Sequence, residues 1–287
     1  MNPKSELPVL TDTALPPSHP VTAWDEYGEP REFDIAAEQA LTVYIDKREV
    51  VTLMTLGTHP ELLVLGFLKN QGFVQHLSDI KAIQVVWDVN AAAVTTVNGV
   101  DGLEEKLGKR TVTTGCGQGT VFGRIMEDVE RIKIAPLALQ QSGIYSLLRN
   151  LSAHNDVYKR AGAVHGCALC EGDEIVFFTE DVGRHNAVDA ICGHMWLNHI
   201  PGANKVFYTT GRLTSEMVIK VAQMGIPVLL SRSGVTQAGL ALAQRIGITM
   251  IARAKGRHFL VYHGREHIAM DAVPARSRRP PPDVKRR

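Results

Sequence analysis

No run of eighteen or more apolar residues occurs in this 287-residue chain, so no membrane-spanning helix is expected. Residues 1–20 are polar and proline-containing, with no apolar stretch behind basic residues, and do not read as a secretory signal. Cysteine is scarce. Four in a chain of this length are too few for a disulfide framework and suit a reducing cytosol, so a cytoplasmic location is expected. The phosphate-binding G-x-x-x-x-G-K-[ST] loop, the dinucleotide G-x-G-x-x-G and the nucleophile elbow G-x-S-x-G are all missing. ATP hydrolysis, nicotinamide or flavin redox on a Rossmann motif, and serine-hydrolase chemistry therefore lose support. Aromatic residues make up 6% and interleave with no basic stripe, which argues against a nucleic-acid partner. The one concentrated charge is terminal. Residues 274–287 hold six basic side chains against Asp283, and leave an acidic balance for the rest of the chain.

The remaining composition, 45% hydrophobic and 21% charged, is that of a globular protein with material for a sizeable core. Residues 1–33 lack apolar periodicity and read as a disordered lead-in. Residues 34–135 read as a small β-rich subdomain. It has one hairpin from residues 41–45 and 50–54, another from 83–89 and 93–97 joined around Asn90, and one helix near Pro60. Thr58 followed by Glu61 predicts a capping box for that helix. This part shows no catalytic grouping of polar side chains. Residues 136–273 read as an α/β domain, opening with a helix from Pro136 and then alternating short apolar strands with helices of about ten residues. That rhythm predicts a largely parallel sheet covered on both faces. Residues 274–287 form a basic, proline-rich tail.

Ligands of such sheets sit outside the carboxyl ends of the strands. Those ends fall at residues 180–186, 210–215, 231–236 and 253–258, and all are rich in Gly, Arg, Ser, Thr or His. Glu180-Asp181-Val182-Gly183-Arg184-His185-Asn186 is the densest. Arg184 can fork-bind phosphate or carboxylate, His185 can move a proton, and Asp181 can orient either one. Arg212 and Arg232 occupy equivalent strand–helix junctions, and Arg253-Ala254-Lys255-Gly256-Arg257-His258 is a basic turn between two strands. Each junction alone is also what an ordinary helix cap or solvated turn looks like. Together they suit a ligand with several negative groups, such as a nucleotide diphosphate.

Two cysteine motifs compete for chemistry. Cys116 stands among three glycines in Gly115-Cys116-Gly117-Gln118-Gly119, a loop that lets a partner approach a thiol closely. The bland alternative is a tight turn with an incidental cysteine. A papain-like pairing of Cys116 with His165 or His185 is formally open. Cys167-x-x-Cys170 has redox or zinc spacing. Strand alternation, however, sends Cys167 and Leu169 to one face and Cys170 to the other, and no second ligand pair completes a metal site. Buried packing cysteines are the expectation there and at Cys192, and no resident metal is expected.

Taken together, these motifs resemble the formate dehydrogenase accessory sulfurtransferase family, the FdhD/NarQ family. The resemblance runs from about residue 38 to about residue 263. It rests on Leu65-Gly66-Phe67-Leu68, the glycine-flanked Cys116, Val164-His165-Gly166, the run from Glu180 to Asp189, Gly211-Arg212 with Ser215-Glu216-Met217-Val218, and the run from Gly225 to Ser233. It implies a cytidine-deaminase-like three-layer α/β fold without the deaminase zinc, and a homodimer. It also implies a function: sulfur accepted from a cysteine desulfurase as a persulfide and delivered to the bis-molybdopterin guanine dinucleotide cofactor of molybdenum (Mo), for formate dehydrogenase. By position Cys116 would carry the persulfide, and residues 253–258 would bind the cofactor as client. On the residues themselves, Arg184, Arg212, Arg232, Lys255, Arg257 and His258 are the candidates to grip its phosphates and guanine, with His185 beside them, and His185 and His165 are placed to move protons during sulfur release. Many members carry C-G-x-C where this chain has Cys116-Gly117-Gln118-Gly119, so transfer between two loop thiols is not available here. One thiolate is still chemically sufficient to carry sulfane sulfur. The competing reading is a chaperone that binds the molybdenum cofactor without moving sulfur.

Overall fold

The computed structural model describes residues 7–100, 102–103 and 131–274. The glycine loop with Cys116 and the basic tail from residue 275 onward lie outside the described residues.

Among the described residues, the N-terminal half is a five-stranded sheet backed by α1 (Pro60–Asn70). Its strands are β1 (Val9–Leu10), β4 (Gln39–Ile45), β5 (Arg48–Thr55), β6 (Ile80–Val86) and β7 (Ala91–Thr96), in the order β1-β6-β7-β4-β5. The two hairpins read from the sequence are both present. Asp46 and Lys47 turn the first with φ of 45° and 73°, the positive-φ pair of a two-residue hairpin loop. Asn90 turns the second at φ 51°. Leu41, Val43 and Ile45 point inward and pack with Val64, Leu65 and Leu68 of α1 (Pro60–Asn70). The predicted capping box does not form. His59 is the N-cap, and Glu61 instead accepts bonds from Thr11 Oγ1 (2.7 Å) and Thr13 Oγ1 (3.0 Å).

Those threonines belong to the stretch expected to be disordered, and that expectation is corrected here. Strand β1 pairs parallel with β6, while β2 (Ser18–Trp24) and β3 (Pro30–Ala36) form an antiparallel hairpin. The hairpin is largely exposed on both faces, so no apolar alternation announces it. Backbone pairing and cross-strand bonds hold it instead, such as Thr22 Oγ1 to Glu32 (2.6 Å) and Ser18 Oγ to Asp34 (3.0 Å).

The C-terminal half holds a six-stranded sheet: β9 (His165–Glu171), β10 (Glu174–Asp181), β11 (Val206–Thr209), β12 (Val228–Ser231), β13 (Thr249–Lys255) and β14 (His258–His263). The order is β10-β9-β11-β12-β13-β14. The sheet is mixed, not mostly parallel. Only β11–β12 and β12–β13 are parallel, while β10–β9, β9–β11 and β13–β14 are antiparallel. The reason is local: tight turns at residues 171–174 and 255–258 fold neighbours back as hairpins, and only the crossovers through helices give parallel pairs.

Helices α4 (Arg184–Leu197), α5 (Ser215–Gln223) and α6 (Gln237–Ile246) cover one face. The other face packs on α2 (Gln141–His154), followed by α3 (Asp156–Ala161). Six helices are thus present among the described residues. The helix predicted from Pro136 begins only at Gln141, because β8 (Leu139–Gln140) pairs with β15 (Ile268–Ala269). Cys167 and Leu169 lie in the α4–α6 core and Cys170 in the α2 core, the facial split that strand alternation requires.

Helices α1 and α4 join the halves. A Cβ on Gly66 would sit 1.7 Å from the Asp189 carbonyl oxygen, and one on Gly193 would sit 2.0 Å from the Leu62 carbonyl oxygen. The two backbones therefore touch, and only glycine fits at both points. Behind the crossing, Lys220 Nζ bonds both oxygens of the fully buried Asp189 (2.8 and 2.7 Å), and Asn70 Nδ2 donates to the same carboxylate at 2.6 Å. This network locks α1, α4 and α5 together.

Candidate functional site

The carboxyl-end loops of the six-stranded sheet do converge. Thr210 N–H donates to the Gly166 carbonyl at 2.9 Å, and Arg232 N–H to the Thr209 carbonyl at 3.1 Å. Leu213 N–H donates to Gly234 and Arg253 N–H to Ser233, both at 2.9 Å. Ser231 Oγ reaches the Gly211 carbonyl at 2.7 Å. Because β9 runs opposite to its neighbours, its first residue, His165, joins the same edge, facing Asp181 across the ladder.

The acidic residues of the 180–186 segment hold this edge together. Glu180 accepts the N–H groups of Val157 (2.9 Å) and Tyr158 (3.0 Å) at the start of α3. Asp181 accepts Thr55 Oγ1 (2.5 Å), Leu56 N–H (3.2 Å), Gly183 N–H (3.1 Å) and Asn186 Nδ2 (2.9 Å). Burial raises the pKa of both, against these bonds. Asp181 was expected to orient Arg184 or His185. Its lone pairs are instead committed to fastening β5 to the end of β10.

The basic residues are left for the open side. Arg184 lies across Gly211, its Cδ 3.0 Å from where a Cβ there would be, and its buried Nε has no hydrogen-bond partner. Arg253 adopts φ 54°, in the left-handed region where a side chain is strained, and its guanidinium passes 3.6–3.9 Å from the equivalent point on Gly234. Arg212 and Arg232 are exposed on their loops. The rest of the 253–258 segment divides. Ala254 is buried in the α2 core, Lys255, Gly256 and His258 are exposed, and Arg257 lies over the Tyr145 ring of α2 at 5.3 Å. Arg253 alone of that segment is bonded into the row of loops.

A cavity of about 450 Å³ lies beside Arg184, bounded by His165, His185 and Asn186 on one side and by Glu38 and the β5 stretch from Val51 to Met54 on the other. The N-terminal half thus supplies one wall, a contribution the sequence reading missed. Strand β5 is the outer strand of its sheet, but nothing in its sequence marks it as facing the second half. Burial first, then the charges of Arg184, Arg212 and His185, hold His165 below the usual imidazole range, so it is neutral near pH 7. His185 is buried on the first turn of α4. Its Nε2 is 3.1 Å from Glu216 Oε2 on the first turn of α5, within hydrogen-bonding range although the N–H direction is off-line. Burial lowers the pKa of His185 more than Glu216 raises it, and the nearness of His185 holds Glu216 low. Glu216 was also missed as a site residue, although it stands in the Ser215-Glu216-Met217-Val218 run.

Chemically, the edge offers guanidinium groups, two neutral imidazoles and the N-termini of α4 and α5 to an anion. It offers no reactive thiol of its own. Cys167, Cys170 and Cys192 are buried, and burial pushes each up to about 12. Among the described residues no group of three or more His, Cys, Asp or Glu is placed to hold a metal ion. Nor is any helix among them long and apolar enough to cross a membrane. A larger cavity of about 700 Å³ lies between α2 and the sheet and is lined mainly by apolar side chains such as Leu139, Ile144, Val206 and Val228.

The comparisons give this mixed α/β scaffold a family. Residues 36–269 match the model of the FdhD/NarQ family, and the chain belongs to that family. It is 31% identical over 241 residues to the sulfur carrier protein FdhD of Listeria monocytogenes serotype 4b, covering 83% of this chain and 92% of that one. It is 28% identical over 236 residues to that of Bacillus subtilis strain 168, covering 82% and 90%. A crystal structure described as a formate dehydrogenase accessory protein from Desulfotalea psychrophila superposes with TM-score 0.69 at 28% identity, over 88% of this chain and 98% of that one.

Proposed function

We propose that this chain is a cytoplasmic sulfur carrier for formate dehydrogenase, accepting sulfane sulfur from a cysteine desulfurase on Cys116 and passing it to the Mo-bis(molybdopterin guanine dinucleotide) cofactor. Family membership and the relatives' description as sulfur carriers support the cargo. The observation that carries the client is the convergence of Arg184 and Arg253 with two helix N-termini at one strand edge, which suits the phosphates of a dinucleotide. Arg212, Arg232 and the exposed Lys255 and His258 extend the same basic surface. We read the fold as a relative of the cytidine deaminases, and the working form as a homodimer.

Loading is an exchange in which the Cys116 thiolate attacks the terminal sulfur of the desulfurase persulfide. The S–S bond to the desulfurase breaks, its cysteine leaves as thiolate, and Cys116 becomes a persulfide. Release of that sulfur as hydrosulfide needs a second thiol, which attacks Cys116 and ends in a disulfide with it. Cys167, Cys170 and Cys192, buried and protonated, do not fit this role, so the second thiol is external.

The lone loop cysteine favours one alternative, a cofactor-binding chaperone that moves no sulfur. A complementation test separates the two. In a strain lacking the protein, the sulfur carrier predicts that Cys116→Ala fails to restore formate dehydrogenase while still binding GDP. A chaperone predicts that it restores activity.

A further inference from the structure

The ribbon of β2 and β3 is the least supported element of the described structure. Two strands alone are marginal in water and need a third strand or a packed helix. Here the body meets only the root of the ribbon, where Arg160 of α3 bonds Asp34 at 3.1 Å and Ala36 packs with Val157 and Val164. Farther out, among the described residues, the ribbon lies open: Trp24 is 70% exposed and Tyr27, on the turn, 81%. The turn itself is ordered. Asp25 accepts the N–H groups of Tyr27 and Glu29 and the Nε–H of Arg31, each at 3.0 Å. Alternation and register put three pairs on one face, Trp24 with Pro30 at the tip, then Thr22 with Glu32, then Pro20 with Asp34 at the root. The whole ribbon holds five carboxylates against Arg31. An open sheet face with an indole at one end and carboxylates behind it suits a chain carrying prolines and cations, which stack on the ring and pair with the acids.

We propose that this face binds residues 276–287 of the same chain, clasping the ribbon to the basic stretch. The charges are complementary, since residues 276–287 hold six basic side chains against Asp283. The order along the two partners also matches. Outward from the body, Arg278-Arg279 precede Pro280-Pro281-Pro282, as Asp34 and Glu32 precede Trp24 on the ribbon. Spacing agrees as well. Consecutive prolines favour polyproline II, with three residues per turn and about 3.1 Å per residue, so Arg279 and Pro282 share a side about 9 Å apart. Glu32 and Asp34 stand about 7 and 13 Å from Trp24 along the ribbon, at about 3.3 Å per strand residue. With Pro282 on the indole, Arg279 falls between the two carboxylates, and Lys285, Arg286 and Arg287 fall beside the turn with Glu26 and Glu29. The chain is long enough. Asp271 is held at the start of α2 by Ser142 N–H at 2.9 Å, and α3 with Arg160 follows the 14 residues of α2. That helix is about 21 Å long, and the eight residues from Asp271 to Arg279 reach about 26 Å when extended. Apart from Ala36, both partners lie outside residues 36–269, the span shared with the family. The clasp is independent of the sulfur chemistry. It steadies one rim of the site, because the ribbon leads through Ala37 to Glu38 on the wall of the 450 Å³ cavity.

The chain has three tryptophans, so the nitrogen-15-labelled protein shows three indole N–H signals, and Trp24→Phe identifies the one from Trp24. Deleting residues 275–287 should shift that signal and leave those of Trp87 and Trp196 in place. A synthetic peptide of residues 275–287, added to the shortened protein, should return it. Calorimetry of that peptide with the shortened protein weighs the contacts. Trp24→Ala should weaken binding by about tenfold or more, the weight of an aromatic anchor. Glu32→Gln should weaken it by about two- to fivefold at low salt, the range of an exposed ion pair, and the difference should vanish in 1 M salt. A peptide with Pro280→Ser, Pro281→Ser and Pro282→Ser should bind more weakly than the natural one. A Trp24 signal indifferent to the deletion overturns the proposal. So does a peptide that Trp24→Ala binds as well as the parent does, or equal binding of the proline-free peptide. A Trp24 signal that moves when the full chain is diluted assigns the ribbon to a second copy and overturns the clasp as well.

Discussion

The crossing of α1, α4 and α5 can be tested at Lys220. The carboxylate of Asp189 is fully buried and receives two bonds from Lys220 Nζ, at 2.8 and 2.7 Å, and one from Asn70. In Lys220→Met the apolar stem is retained and the charge removed, leaving Asp189 with a single neutral donor in a site closed to water. Breaking a buried pair by removing one partner costs about 3–5 kcal/mol, because the surviving charge is uncompensated. Urea titration followed by circular dichroism measures the loss, with the denaturant slope checked for constancy. A control sharpens the result. Asp189→Asn in the Lys220→Met background removes the stranded charge and should recover part of the loss, so the two substitutions are not additive. A loss under about 1 kcal/mol, or additive substitutions, would refute the claim that this pair locks the helices.

Four further outcomes follow from the same geometry. Gly66→Ala and Gly193→Ala each force a methyl into a backbone contact of 2 Å or less, so each should destabilise by at least the ~1–3 kcal/mol typical of overpacking, read by thermal melting. Native protein treated with iodoacetamide at pH 8 should be alkylated at Cys116 and spared at Cys167, Cys170 and Cys192. Those three are buried with thiols pushed up to about 12, and they should react only after unfolding. His165 and His185 have depressed folded pKa values, so the unfolded chain binds more protons below its own histidine pKa of about 6.5. Their contribution is present above that pH and lost as pH falls, and His185→Gln should flatten the stability slope between neutral and mildly acid pH. Arg184→Ala should weaken GDP binding by about 1.5–3 kcal/mol, the range of a charge-assisted bond, measured by calorimetry.

Reading the chain alone exposed the parts of this architecture that rest on local chemistry. Both hairpins of the first sheet, the split of Cys167 from Cys170 across the second, and the gathering of Arg184, Arg212, Arg232 and Arg253 at one edge follow from alternation, turn residues and the strand-end rule. What escaped depends on distant partners. The exposed hairpin of β2 and β3 lacks an apolar pattern because its stability lies in backbone pairing. The sheet is mixed because hairpin turns, not crossovers, decide the direction of β9, β10 and β14. Glu61 was read as a cap when it serves Thr11 and Thr13, about fifty residues away. Asp181 was read as part of the site when Thr55 and Leu56 claim it. Glu216 was visible as a residue but not as the neighbour of His185, since only the packing of α4 on α5 puts them 3.1 Å apart.

The central claim is that Cys116 carries the sulfur. Its most direct test is to incubate the protein with a cysteine desulfurase and cysteine, digest it under non-reducing conditions, and map sulfane sulfur by mass spectrometry. The account predicts one additional sulfur atom on the peptide containing Cys116, and none on the peptides containing Cys167, Cys170 or Cys192. Added sulfur on any of those three, or on no cysteine at all, would contradict it.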